Sequence, residues 1–249
     1  MRLQKYLASC GVASRRECER MVSAGRVSVN GDAAELGMSI DPNTDRVEVD
    51  GASVATDRSM YLLLNKPRGT VTSVKDTHGR PTVIDCLGGN VARVFPVGRL
   101  DMDVEGVLLL TNDGELAYRL THPKYEIEKV YLARVEGKVR TATLRELERG
   151  IELEDGMTAP ARARLLESDE RSSLVRLTIH EGRKREVKRM FLAAGYPVRH
   201  LKRIAFAGIE VRGMRPGEWR YLTEREAESL MRLAGLSDAP AKKSAQKGS

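Results

Sequence analysis

Residues 95–114 read FPVGRLDMDVEGVLLLTNDG. Val107, Leu108, Leu109 and Leu110 form an unbroken apolar run that Asn112-Asp113-Gly114 closes. A run of this length bounded by turn residues predicts a strand buried on both faces. Asp101 precedes it, two residues after Arg99, in a loop that also carries Asp103, Glu105 and Gly106. A carboxylate on a loop anchored by a buried strand is held at one end and open to a substrate at the other. Asp101 is therefore the first candidate for chemistry, and an ordinary polar loop is the plain alternative for the same residues.

Outward from this stretch the pattern alternates strands and helices. Residues 61–64 predict a strand that ends at the turn Lys66-Pro67-Arg68-Gly69. Residues 116–120 predict a short helix closed before Pro123, and 127–135 a strand with Tyr131 near its middle. Leu144, Leu147 and Ile151 fall at helical spacing within 143–153. Strands are expected at 162–166, 174–180 and 198–204, and a last helix at 224–233. Between them, residues 181–190 read EGRKREVKRM. Val187, Met190, Phe191 and Ala194 recur at i, i+3, i+4 and i+7, so one helix face is buried and basic residues crowd the rest. Residues 236–249 have almost nothing to bury and are expected to form a disordered basic tail.

Near the start, Leu3, Leu7 and Cys10 share a helix face, and Gly11 ends that helix. Ser14 and Glu17 form a capping-box pattern for a second helix with apolar positions Cys18, Met21 and Val22. Val27 and Val29 alternate before the hairpin signal Asn30-Gly31, a short strand follows at 47–49, and 51–59 reads as a linker. Arg2, Lys5, Arg15, Arg16, Arg20 and Arg26 stand against only Glu17 and Glu19 in this segment. Arg16 and Arg20 lie four apart on one helix face, an electrostatic footprint for phosphates whose alternative is a solvated basic face.

The chain of 249 residues has a formal net charge of +7, which favours a polyanionic partner. Hydrophobic residues make up 41% and aromatics 4%, so the core must be mostly aliphatic. Cys10, Cys18 and Cys86 form no C-x-x-C pair, which argues against a disulfide framework or structural zinc and suits reduced thiols in the cytoplasm. His78, His122, His180 and His200 lack metal-ligand spacing, so no metal is expected. No apolar stretch is long enough to span a bilayer, and the N-terminus lacks the apolar core of a signal peptide.

Gly98-Arg99-Leu100-Asp101 and residues 106–114, GVLLLTNDG, together resemble the signature loop of the RsuA-like family of pseudouridine synthases. The chain departs from it at Val104, where the family carries Ser or Thr. Residues 2–31, with S-R-R at 14–16 and V-N-G at 29–31, resemble an S4 RNA-binding domain. K-P-R-G at 66–69 and E-K-V-Y at 128–131 resemble further family motifs, as does residues 181–190. G-R-P-T-V at 79–83 is similar to the large-subunit, RluB-type members.

The resemblance implies an α+β protein: an S4 domain and linker at 1–57, then a mixed, mainly antiparallel synthase domain at 58–235. It implies isomerisation of a uridine in ribosomal RNA, expected in 23S rRNA, by a cytoplasmic monomer with no membrane contact. No cofactor is expected, because the reaction is redox-neutral. By the resemblance, Asp101 is the reacting carboxylate and Lys188 the cation that keeps it ionised. Tyr131 and Leu201 enclose the base, and Arg99 fills the place the base vacates. Whether Asp101 attacks C1′, attacks C6 or takes a ribose proton stays open. Asp103 and Glu105 lie outside the G-R-L-D core, and their amide variants are expected to retain much of the activity. Two alternatives remain: the same enzyme acting on 16S rRNA or another rRNA uridine, and a non-catalytic S4 assembly factor. The second would leave Asp101, Tyr131 and Lys188 without work.

Overall fold

The computed structural model describes residues 1–56, 58–89, 91 and 93–236. Two compact units emerge: Met1–Met60 with Asn112–Gly114, and Tyr61–Thr111 with the chain from Glu115 onward. Asn112 belongs with the first because its side chain accepts from the Met60 N–H at 2.8 Å and donates to the Arg58 carbonyl at 2.9 Å.

The first unit holds α1 (Leu3–Ser9), α2 (Arg15–Ser23), β1 (Val27–Val29), β2 (Asp32–Ala33), β3 (Val47–Val49) and β4 (Ala52–Ser53). Ser14 caps α2, its hydroxyl accepting from the Glu17 N–H at 3.2 Å. The strands form a sheet in the order β2-β1-β3-β4. Leu3, Leu7, Cys18 and Val22 from the helices bury against Val27, Val29, Val47 and Val49 from the strands. The expected linker at 51–59 starts later than the composition suggests. Asp50-Gly51 turns the chain straight back, so that Ala52–Ser53 pairs with β3. Val54 then packs on the core, and its carbonyl accepts the Tyr6 hydroxyl at 3.2 Å.

The second unit contains, in order, β5 (Tyr61–Lys66), β6 (Phe95–Pro96), β7 (Glu105–Thr111), α3 (Gly114–Thr121, from Glu115 onward), β8 (Lys129–Glu136) and α4 (Thr141–Arg149). It continues with β9 (Glu152–Leu153), β10 (Gly156–Met157), β11 (Arg162–Ser168), β12 (Ser172–Ile179) and α5 (Glu186–Ala193). Last come β13 (Val198–Phe206), β14 (Ile209–Glu210), β15 (Trp219–Tyr221) and α6 (Glu224–Leu233). The main sheet runs β11-β12-β8-β13-β7-β5-β15, with β14 on β13 and β6 on β7. Its pairs are antiparallel except β13 with β7, as an α+β domain with a mainly antiparallel sheet requires. β7 lies between β13 and β5 and is buried from Gly106 to Thr111, which is why its leucines need no alternation.

The helix expected across 143–153 stops at Arg149. Gly150 takes a φ of +98°, and a Cβ there would collide with the Thr158 carbonyl. Ile151 stays buried, but outside the helix, its N–H donating to Thr158 Oγ1 at 3.0 Å. The expected tail, apart from Leu236, lies outside the described residues.

The parallel pair depends on one backbone approach. Gly106 has a φ of +113°, and a Cβ there would fall on the backbone of Arg203. Both strain and collision oppose any side chain. Gly106→Ala should lower stability by at least about 2 kcal/mol in urea unfolding. Gly182→Ala is the control, since its Cβ would come no nearer than 3.9 Å to Lys129 Cε. Equal midpoints for the two variants would show that the strands separate there at no cost.

Candidate active site

A cavity of about 560 Å³ opens in the second unit, and Arg99, Asp101, Tyr131, Lys188 and Leu201 all line it. They come from four segments: the loop before β7, then β8, α5 and β13. Sequence placed each on its element; only the sheet order brings them together.

The Asp101 loop is pinned from beneath. Thr72 Oγ1 accepts from the Leu100 N–H at 3.2 Å and donates to the Leu100 carbonyl at 2.7 Å. The Val104 N–H closes the loop on the Asp101 carbonyl at 3.1 Å. Lys66, fully buried, donates its ammonium to the carbonyls of Pro67 at 3.0 Å, Met102 at 3.4 Å and Val104 at 2.8 Å. Burial pushes that ammonium down to about 8. Lys66 is thus the strut under the loop. Its position before Pro67 marks a turn and carries no sign that its side chain points inward.

Lys188 reaches the mouth of the cavity from α5, but its hydrogen bonds go to Asp103. Its Nζ lies 2.6 Å from both carboxylate oxygens of Asp103 and 3.8 Å from Asp101 Oδ2. That bond holds the Asp103 carboxyl below the usual range. The cation expected beside Asp101 is therefore shared, and Asp103 is its nearer partner. Glu105 faces elsewhere, 3.5 Å from Lys202 Nζ and 3.7 Å from His200 Nε2. Arg99 is exposed at the rim and makes no hydrogen bond or ion pair among the described residues.

Tyr131 and Leu201 form the apolar wall. Both are buried, and Leu201 pairs with Ala133, two residues along the same face from Tyr131. Arg203 stands directly opposite Tyr131, and Lys129 lies two residues before it; both line the cavity. The basic run at 181–190 divides its work. Arg183 bonds the Glu181 carboxylate at 3.1 Å and the Gly156 carbonyl at 2.8 Å, and Arg189 grips Asp155 at 3.0 and 2.9 Å. Lys184 and Arg185 line the cavity. Glu186 is buried, its Oε2 accepting from the Arg183 N–H at 3.0 Å. Burial and then the neighbouring Glu181 push its carboxyl up, which favours its neutral form. Lys129, Arg203 and Glu186 were absent from the expected site. A charged residue within a strand or helix pattern reads as solvent-facing, and only the tertiary packing turns these inward.

In the first unit, Arg2, Arg15, Arg16, Arg20 and Arg26 are exposed, and Lys5 is half-buried. Arg2 donates to the Gly37 carbonyl, Arg20 pairs with Glu17, and Arg26 pairs with Asp50 at 2.9 Å from its Nε. Arg15 and Arg16 have no such partner among the described residues.

Comparison with known proteins agrees with both units. The S4 domain pattern matches residues 1–45 and the RNA pseudouridylate synthase pattern residues 60–193. Ribosomal large subunit pseudouridine synthase B of Bacillus subtilis (strain 168) is 48% identical, covering 94% of this chain and 96% of that protein. An uncharacterized RNA pseudouridine synthase of Aquifex aeolicus (strain VF5) is 45% identical over 98% of both chains. A solved pseudouridylate synthase crystal structure superposes with a TM-score of 0.68 at 32% identity, covering 92% of this chain and 99% of that one. With its synthase pattern, full-length relatives and matching fold, the chain belongs to the RNA pseudouridylate synthase family and carries an S4 domain at its N-terminus.

Proposed function

We propose that this protein isomerises a uridine of large-subunit (23S) ribosomal RNA to pseudouridine. The convergence of Arg99, Asp101, Tyr131, Lys188 and Leu201 on one cavity carries this reading. The name of the Bacillus relative and the G-R-P-T-V element at 79–83 support the large subunit over other targets. Residues 1–57 serve as the docking module and 58–235 as the catalytic one, in the cytoplasm, where the three cysteines stay reduced.

The reaction breaks the C1′–N1 bond, turns the uracil within the cavity and joins C5 to C1′. The C5 proton is lost and N1 gains one, so the product is an isomer. The target base must first leave its stack, at a cost of roughly a few kcal/mol. Arg99 fills the vacated place, since a planar guanidinium both stacks and hydrogen-bonds. Tyr131 and Leu201 hold the detached base in a dry space. Asp101, about one-third exposed, presents its carboxylate to the reacting nucleotide, and Lys188 spans Asp101 and Asp103.

Asp101→Asn keeps the volume and removes the charge. It should leave folding and RNA affinity nearly intact and slow release of the uracil C5 hydrogen at least about a thousandfold. A folded variant working at the wild-type rate would remove Asp101 from the chemistry. Wild-type inactivity on every ribosomal RNA fragment and partly assembled subunit would favour a non-catalytic S4 factor. At the wall, Tyr131→Phe keeps the stacking face and Tyr131→Ala removes it, so the Ala variant should lose more activity. Equal, near-wild-type rates would place the base elsewhere. For docking, replacing Arg15 and Arg16 with Ala should weaken RNA binding and reduce the log–log salt slope by about one and a half to two. An unchanged slope would take both residues off the RNA surface.

A further inference from the structure

Two cations at the bottom of the cavity have no anion bonded to them. Lys129 Nζ donates to the carbonyls of Ile127 at 2.8 Å and His180 at 3.2 Å. An ammonium has three N–H donors, so one is left over. Arg203 Nε donates to the Val107 carbonyl at 2.8 Å, while its Nη2 is buried with no partner. Lys129 is 8% exposed and Arg203 2%, and neither forms an ion pair among the described residues. A buried donor left unmade costs more than a made one contributes, so such a pair calls for something that completes it.

Register puts the two on one face, since Arg203 pairs with Tyr131 and Lys129 lies two residues away, and a bulge brings Phe206 beneath both. Arg203 pairs with Tyr131 and Phe206 with Lys129, and the register shifts between Arg203 and Ala205. Residues three apart on a regular strand face opposite ways; the extra residue returns Phe206 to the face of Arg203. The Phe206 ring then carries both cations, Arg203 Cζ at 4.8 Å and Lys129 Nζ at 5.7 Å from its centroid. Both side chains are locked before any substrate arrives. Burial pulls the Lys129 ammonium down to about 8, so the site holds its charge at a cost.

The proposed reaction makes a matching anion. When C1′–N1 breaks, its electron pair stays on the base, and the charge spreads over N1 and the two carbonyl oxygens. Donors fixed where that charge develops act on the transition state more than on the bound uridine. We propose that Lys129 and Arg203 form an anion hole for the detached uracil, donating from Nζ and Nη2 to its carbonyl oxygens until C5 rejoins C1′. The proposal rests on the uridine reading above. No electron leaves the system: the pair that left C1′ returns through C5, the C5 proton departs, and N1 takes up a proton.

Lys129→Met keeps an unbranched side chain one atom shorter and removes the charge, and Arg203→Lys keeps a charge able to reach Val107 while removing Nη2. Each is compared with wild type in single turnovers at saturating enzyme. The substrates are the RNA fragment that the wild type isomerises and the same fragment carrying 5-fluorouridine at the target. Disappearance of the N-linked nucleoside is followed by chromatography after digestion, with thermal unfolding and RNA affinity measured alongside. Fluorine stabilises the departing anion and so lessens the need for the hole. Lys129→Met should slow the uridine substrate by about a hundredfold, the usual effect of losing one oxyanion donor, and the fluorinated one by a clearly smaller factor. Arg203→Lys should show the same ordering. Equal slowing on both substrates would overturn the proposal, as a fold defect or a phosphate contact would produce it. Unchanged rates, or a loss confined to RNA affinity, would overturn it as well. Because the comparison uses an RNA the wild type converts, a failure here counts against the cation pair and not against the uridine reading.

Discussion

The site depends on the place where Gly106 lies against the backbone of Arg203. β7 and β13 are the one parallel pair of the main sheet, joined at Lys202–Glu105 and Arg203–Gly106. Without that pairing, the aspartate loop and the wall strands would belong to separate halves: β6, β7 and β5 on one side, β13, β8 and β12 on the other. With it, Asp101 enters the cavity next to the strand that carries Leu201 and Arg203. A side chain at 106 would part the strands at the point where chemistry needs them closest. The glycine therefore serves the site through the sheet, and its loss would be felt in stability before catalysis.

Much of this was readable from residues 95–114. A leucine run between turn residues can hardly be anything but a central strand, and β7 is one. Ser14 and the Val187, Met190, Phe191 stripe carry their own local physics, a cap and a helix period, and both hold in the structure. Local signals failed where a distant partner decides. Leu144, Leu147 and Ile151 keep helical spacing, yet Gly150 ends the helix because the Thr158 carbonyl occupies the space beside it. Lys188 and Asp103 are 85 residues apart, and no spacing rule announces their bond. Lys66, Lys129 and Arg203 are hardest of all: burial of a cation follows from what surrounds it, and a strand pattern assigns it to solvent by default.

Those three residues also share a way of being buried. Each gives its hydrogen bonds to backbone carbonyls and none to a carboxylate. A carboxylate partner would cancel the charge as well as satisfy the donors. Carbonyl dipoles satisfy donors and leave the net charge in place, at a desolvation cost that the lowered values of Lys66 and Lys129 record. Burial, and then Glu181, raises the Glu186 carboxyl, which weakens the charge it can set against these cations.

The cavity is consequently rich in cations, with its carboxylates toward solvent. Toward solvent stand Asp101 and Asp103, with side chains 35% and 59% exposed and Lys188 between them; Arg99, Lys184 and Arg185 are further cations around the site. Within the protein stand Lys129 and Arg203, two positive charges in a medium that screens poorly. Heterolysis of a glycosidic bond also separates charge, leaving an electron-poor sugar and an electron-rich base. On the proposed reading, a nucleotide seated with its sugar toward Asp101 and its base against Tyr131 puts the electron-rich base nearest Lys129 and Arg203. On that reading the two buried cations hold the free base against the wall while it turns. Held this way, the uracil can rotate in its own plane and still find donors, because its two carbonyl oxygens share the charge. A metal-like point attraction would fix one atom; a pair of donors spread across a ring permits the exchange of N1 for C5 that the isomerisation needs.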